Sequence, residues 1–185
     1  MKYILFCFSS FLLLQSCGEE VIVKPKAQLR LEYPKASYTT LKTPCPFTFK
    51  INNESVISNK KNCGLDIYYP KMKATIYLNY SNINNVHKID SLLIDAQKLT
   101  DKHTIKATSI FEQPRVDPEH QVYGMLTIIN GNAATQTQFY ATDSIQHFLR
   151  GSVYFEVKPN FDSLYPAIVY LRNDVKKIME TLHWK

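Results

Sequence analysis

The chain has 185 residues, 45% of them apolar and 21% charged, with a formal net charge of +6. This composition belongs to a folded globular chain and excludes a disordered or low-complexity one, and the length suits one domain with a substantial core. The basic residues form no dense run, and the export leader described next takes the chain away from nucleic acid, so a nucleic-acid-binding role is excluded.

Residues 1–16, MKYILFCFSSFLLLQS, start with Lys2 and continue as an apolar run from Tyr3 to Leu14. A bilayer-crossing helix needs roughly 20 apolar residues, whereas a secretory leader needs only about 7–15. The run therefore reads as a leader. A buried first helix would carry a polar stripe, and this segment has none. It ends in Leu14-Gln15-Ser16-Cys17, which resembles the lipobox of bacterial lipoproteins. In that reading Ser16 is the small residue the signal peptidase accommodates, and the Cys17 thiol takes the diacylglycerol. Cys17 then begins the mature chain, held to a membrane by acyl chains at about 0.8 kcal/mol per buried methylene. Loss of Lys2 lowers the formal charge by one.

Four cysteines occur. Cys7 leaves with the leader and Cys17 carries the lipid, so Cys45 and Cys63 remain. An even pair in an exported domain predicts a disulfide. Residues 46–51 read as a strand, 52–55 as a turn and 56–58 as the start of a return strand. A hairpin turning near Glu54 places Cys45 opposite Cys63 at its open end. The alternative is two reduced, buried thiols. No histidine or further cysteine stands at ligand spacing beside either one, which argues against a metal.

Residues 18–28 form a short tether, at most about 35–40 Å when extended. The proline-punctuated stretch 29–47 is expected to wrap over the body as irregular chain. Leu65–Tyr69 and Lys73–Asn79 read as strands around Pro70. Over residues 84–103, Val86, Ile89, Leu92, Leu93, Ala96 and Leu99 recur at the helical period. Ile105–Phe111 reads as a strand, and a loop containing Pro114 and Pro118 follows. Val122–Ile129 is strongly β-forming, Asn130-Gly131 signals a tight hairpin turn, and Ala134–Ala141 returns. Gly124, inside that strand, suggests a bulge or close packing. Gly151–Val157 is a further strand, reached through a turn of helix or coil over residues 143–150. A helix spans 163–183, with Leu164, Ile168, Leu171, Val175, Ile178 and Leu182 on one face. Asp162 or Ser163 is its expected cap, and Pro166 is tolerated in the first turn.

Hairpin connections imply antiparallel pairing, and two amphipathic helices need a sheet to pack on. The expectation is one α+β domain over residues 29–185. Its mainly antiparallel, twisted sheet has about six or seven strands and two flanking helices.

The tightest polar constellation is Thr142-Asp143-Ser144-Ile145-Gln146-His147. A hydrolase built on Ser144 and His147 is one reading. A catalytic triad, however, places the imidazole between nucleophile and carboxylate, with partners drawn from separate elements. Asp143 or Ser144 capping a short turn is the simpler reading. His87, His103, His120, His147 and His183 are scattered without a metal-binding spacing, and His103 stands where it could complement the first helix's C-terminal dipole.

Several stretches resemble one family: LRLEYPKASY, HTIKATSI, GNAATQTQFYATDSIQHFLRGSVYF, PNFDSLYPAIVYLRNDV and ETLHWK. Together they are similar to the gliding motility-associated lipoprotein GldD family of Bacteroidota. The resemblance implies an envelope lipoprotein needed for gliding and coupled to type IX secretion proteins, with no catalytic residues, no cofactor and no small-molecule substrate. Gly18, after the lipid cysteine, is not the aspartate that retains some enteric lipoproteins in the inner membrane, so the expectation is an outer-membrane lipoprotein facing the periplasm, with the inner membrane as the alternative. The density of the resemblance marks Gly131, Asn132, Asp143, His147 and Arg150 as a candidate interaction surface. By element order alone the chain also resembles PsbP-like domains, which carries no functional weight. The readings carried forward are a non-enzymatic scaffold or assembly factor, an envelope hydrolase, and a small-ligand or glycan binder using the many tyrosines.

Overall fold

The structure is a computed structural model that describes residues 31–84 and 88–185. The leader, Cys17 and the tether lie outside the described residues. The chain runs through β1 (Tyr38–Thr40), β2 (Phe47–Thr48), β3 (Lys50–Asn52), β4 (Val56–Asn59), β5 (Leu65–Tyr69) and β6 (Ala74–Asn82) to helix α1 (Ile89–Asp101). It continues through β7 (Ala107–Asp117), β8 (Val122–Gly131), β9 (Thr137–Thr142) and β10 (His147–Phe155) to helix α2 (Phe161–Glu180) and β11 (His183–Trp184). The fold is α+β, as expected, with a seven-stranded antiparallel sheet in the order β4-β5-β6-β10-β9-β8-β7.

Two meanders make this sheet. Strands β4–β6 form one and β7–β10 the other, and they join where β10 pairs with β6 over nine residue pairs, from His147↔Asn82 to Phe155↔Ala74. Period-two alternation then sorts the side chains. Leu65, Ile67, Ile76, Leu78, Phe139 and Leu149 are at most 4% exposed and meet Leu171, Val175 and Ile178 of α2 in the main core. The other face carries Thr127, Gln138, Tyr140, Arg150 and Ser152, and α1 lies over part of it. Two short ribbons, β1 with β3 and β2 with β11, complete the structure.

Three glycines are required by close approach. A Cβ on Gly124 would overlap the Tyr140 carbonyl, and one on Gly151 would overlap the Phe139 ring and sit 2.7 Å from Leu78. Gly131 has φ +106°, and a Cβ there would lie 2.8 Å from both Lys106 O and Thr108 N. It faces the bulge between Ala107 and Ser109 of β7.

The structure corrects several expectations. Cys45 and Cys63 do form a disulfide, with Cα atoms 5.6 Å apart. They do not close a hairpin around Glu54, because β3 pairs with β1, β2 with β11, and β4 with β5. The bridge instead ties the loop before β2 to the turn before β5. Asn130-Gly131 is not a tight turn either. Asn130 is paired with Ser109 and Gly131 with Ala107, so both belong to β8. Strand β7 runs through Pro114 to Asp117, where a loop is expected from the sequence. An edge strand tolerates proline because its outer amide needs no partner. The first helix occupies 89–101 rather than 84–103, and residues 38–40 form a strand within the expected irregular wrap. Helix α2 begins at Phe161, so Pro166 lies in its second turn, and its cap is Asn160, whose side chain accepts from Ser163 N at 3.3 Å.

Candidate functional surfaces

Strands β9 and β10 are joined by Asp143–Gln146, and one carboxylate oxygen organises the turn. Asp143 Oδ1 accepts from the amides of Ile145 (3.0 Å), Gln146 (2.8 Å) and His147 (2.7 Å). Burial alone would raise the Asp143 pKa, but these amides outweigh it and hold the carboxyl below its ordinary range. Thr142 Oγ1 adds a bond to His147 O at 2.6 Å and accepts from Ser144 N at 2.9 Å. Ser144 takes a left-handed φ of 67°.

The same turn delivers His147 to an aromatic cluster. Its Nδ1 hydrogen-bonds the Tyr80 hydroxyl at 2.7 Å, and its ring stacks on Trp184 with centroids 5.1 Å apart. Trp184 is placed there by the β2–β11 ribbon and donates Nε1 to Gln121 O at 3.1 Å. Asp143 thus faces the backbone while His147 faces Tyr80 and Trp184. The carboxylate is therefore the cap of this turn.

The five candidate surface residues do not form one patch. Asp143 and His147 mark the end of the sheet where β9 turns into β10. Gly131 and Asn132 lie at the opposite end, where Asn132 Oδ1 accepts from Phe161 N at 2.8 Å and so supplies a second N-terminal cap to α2. Arg150 lines a cleft of about 70 Å³ between α1 and the polar sheet face, together with Glu112, Thr127 and Ser152. Within that cleft Thr100 Oγ1 donates to Gln138 Oε1 at 2.9 Å, while Gln138 Nε2 is buried without a partner among the described residues. Ligand pockets commonly enclose about 300–1,000 Å³, so this cleft suits only a few small groups. His103 follows α1, and burial, aided by Lys102, lowers its pKa. A neutral imidazole does not complement a helix dipole.

Sequence reading passed over Asp174, a carboxylate only 2% exposed. Its Oδ1 accepts from Tyr38 OH at 2.6 Å and its Oδ2 from Asn52 Nδ2 at 2.9 Å, and the Tyr69 hydroxyl is a further partner. Asn52 Nδ2 also donates to Tyr170 OH at 2.9 Å. Burial raises the Asp174 pKa, and the hydrogen bonds from Tyr38, Asn52 and Tyr69 oppose that rise. The network locks β1, β3 and β5 to α2. Its only sequence signal is an acidic residue beside Val175 on the apolar stripe of α2.

These features define a class: an α+β domain on one seven-stranded antiparallel sheet, stapled by a disulfide. No helix among the described residues is long and apolar enough to cross a membrane. The chain belongs to the gliding motility lipoprotein GldD family, whose model matches residues 18–184. The search of curated proteins found no match. Family membership associates the chain with the cell envelope and with gliding motility.

Proposed function

We propose that the protein is a lipid-anchored envelope component of the gliding machinery, acting without catalysis as a structural or assembly partner of the motility and type IX secretion proteins. Cys17 is the attachment point, and the domain faces the periplasm from the outer membrane. The observation that carries this reading is the family match over residues 18–184. The engagement of Asp143 with three backbone amides and of His147 with Tyr80 supports a structural part for the most enzyme-like stretch of the chain.

The test is complementation of a deletion strain. Wild type and Ser144→Ala should both restore spreading and secretion, whereas Cys17→Ser should restore neither and should leave the membrane fraction. A deletion strain that spreads and secretes normally would defeat the proposal, as would full rescue by Cys17→Ser. Loss of rescue by Ser144→Ala, with the protein folded and present, would revive the hydrolase.

A further inference from the structure

A groove runs between α2 and β7. Its main chamber, about 520 Å³, has Ile128 and Asn130 behind it, Ser109, Phe111 and Gln113 of β7 on one side, and Phe161, Tyr165 and Arg172 of α2 on the other. Phe111 is 54% exposed and Tyr165 48% exposed, and Tyr165 packs edge-on against Phe161 with centroids 5.5 Å apart. A second chamber of about 200 Å³ continues from Gln113 toward Lys176 and Met179.

Two observations give this groove a ligand chemistry. The first is Arg172. Its Nε and Nη2 are shielded from solvent and have no hydrogen-bond partner among the described residues. A guanidinium carries five donors in a planar fork and stays charged, so a groove wall that hides two of its nitrogens without an acceptor is matched by a carboxylate arriving at the side of the fork that lines the groove. Burial lowers the Arg172 pKa, which marks a desolvated cation that a nearby anion would stabilise. The second is the strand beside it. β7 is an edge of the seven-stranded sheet and pairs with β8 alone, which leaves its outer row of backbone groups open among the described residues. Pro114 offers no amide hydrogen, so the run available for pairing is Thr108–Gln113, alongside the main chamber.

An edge strand flanking a helix-walled groove is the geometry in which an extended peptide adds a strand. Main-chain bonds then supply affinity, and pockets for alternate side chains supply selectivity. We propose that the α2–β7 groove binds an extended, acidic peptide segment of a partner protein, which pairs with Thr108–Gln113 and sets a carboxylate against Arg172. Phe111, Phe161 and Tyr165 receive its apolar side chains. The open strand edge favours a peptide, whose own backbone repeats the spacing of that row of donors and acceptors, over an acidic sugar, whose hydroxyls do not. This inference goes beyond the motility role, and its test needs no motility readout.

The test pans a displayed library of random heptapeptides on the detergent-solubilised full chain, with the double variant Phe111→Asp, Arg172→Met as the control. Enriched peptides should carry Asp or Glu at one fixed position. Replacing that residue by Gln should weaken binding at least tenfold in wild type and less than threefold in Arg172→Met. Hydrogen exchange at Thr108–Gln113 should slow on binding. Phe111→Asp, at an exposed position, should abolish binding even if Arg172→Met proves unstable. Any of three results would overturn the proposal: no enrichment over the control, enriched peptides without a carboxylate, or protection elsewhere on the sheet. Tighter binding of a uronate oligosaccharide than of any peptide, without protection of β7, would make the groove a sugar site and also overturn it.

Discussion

Replacing Cys63 by alanine should cost this domain about 3 kcal/mol. The bridge to Cys45 closes a loop of sequence separation 18. In the chain-entropy model, a closed loop of that length removes about 3 kcal/mol of freedom from the unfolded chain. Cys45 is 5% exposed, and the single substitution leaves its side chain in place, so closure is measured without opening a cavity at that site. For a chain of this size each 1 kcal/mol moves the melting temperature by about 2–4 °C, which predicts a fall of about 6–12 °C. The backbone adds a second arm. Cys63 has φ 58°, a left-handed conformation that costs an L-residue roughly 1–2 kcal/mol and glycine almost nothing. Cys63→Gly should therefore be milder than Cys63→Ala by about 1 kcal/mol, once glycine's freedom in the unfolded chain is set against that gain. Guanidinium unfolding of both variants under reductant, beside oxidised and reduced wild type, checks the whole chain of reasoning. Reduced wild type should match Cys63→Ala. A midpoint unchanged on reduction would refute the loop-closure account, and Cys63→Gly falling below Cys63→Ala would refute the backbone argument.

Gly151→Val should destabilise by about 1–3 kcal/mol in urea titrations, because its side chain has to displace Phe139 and Leu78 in the core. Asp143→Ala leaves three turn amides without their acceptor and should cost about 1–3 kcal/mol at pH 7. The folded Asp143 pKa is depressed, so its contribution is present above the unfolded value of 3.8 and fades as pH falls through the folded value. The variant's stability should accordingly lose less on acidification below that point than wild type does. Asp174 has the opposite sign. Its folded pKa is raised, so the native state holds the extra proton between 3.8 and the folded value, and stability falls as pH rises across that window. Asp174→Asn should flatten that slope, measured as unfolding midpoints from pH 4 upward, and an unchanged slope would remove Asp174 as its source.

The α+β class, both helices and most strands of the large sheet were legible because each is written in local periodicity. Leu65–Tyr69 alternates, and the apolar stripe from Leu164 to Leu182 holds the helical period. The failures share a physical cause, since each partner choice was settled by distant chain. Residues 46–58 look like a hairpin, yet β2 is claimed by β11 and β3 by β1, each held by contacts with the C-terminal helix or strand. Asn130-Gly131 reads as a turn, but its glycine serves the neighbouring bulge in β7. The Asp143 cap could be read because an Asx-type turn is local in sequence. Asp174 and Arg172 could not, because a helical acid or base looks solvent-facing until the sheet beneath it is known.

The seam between β6 and β10 constrains the order in which the chain can fold. β6 ends at Asn82 and its partner begins at His147, so the first meander emerges with β6 as an open edge that carries Ile76 and Leu78. Non-local pairing of this kind is slow, and an unpaired apolar strand is prone to join another chain. As the chain emerges from its N-terminus, β6 stays exposed until β10 arrives. Slow delivery of the second meander should then favour aggregation of the first, and a chaperone that shields a strand edge should raise the yield more than one that merely speeds disulfide formation.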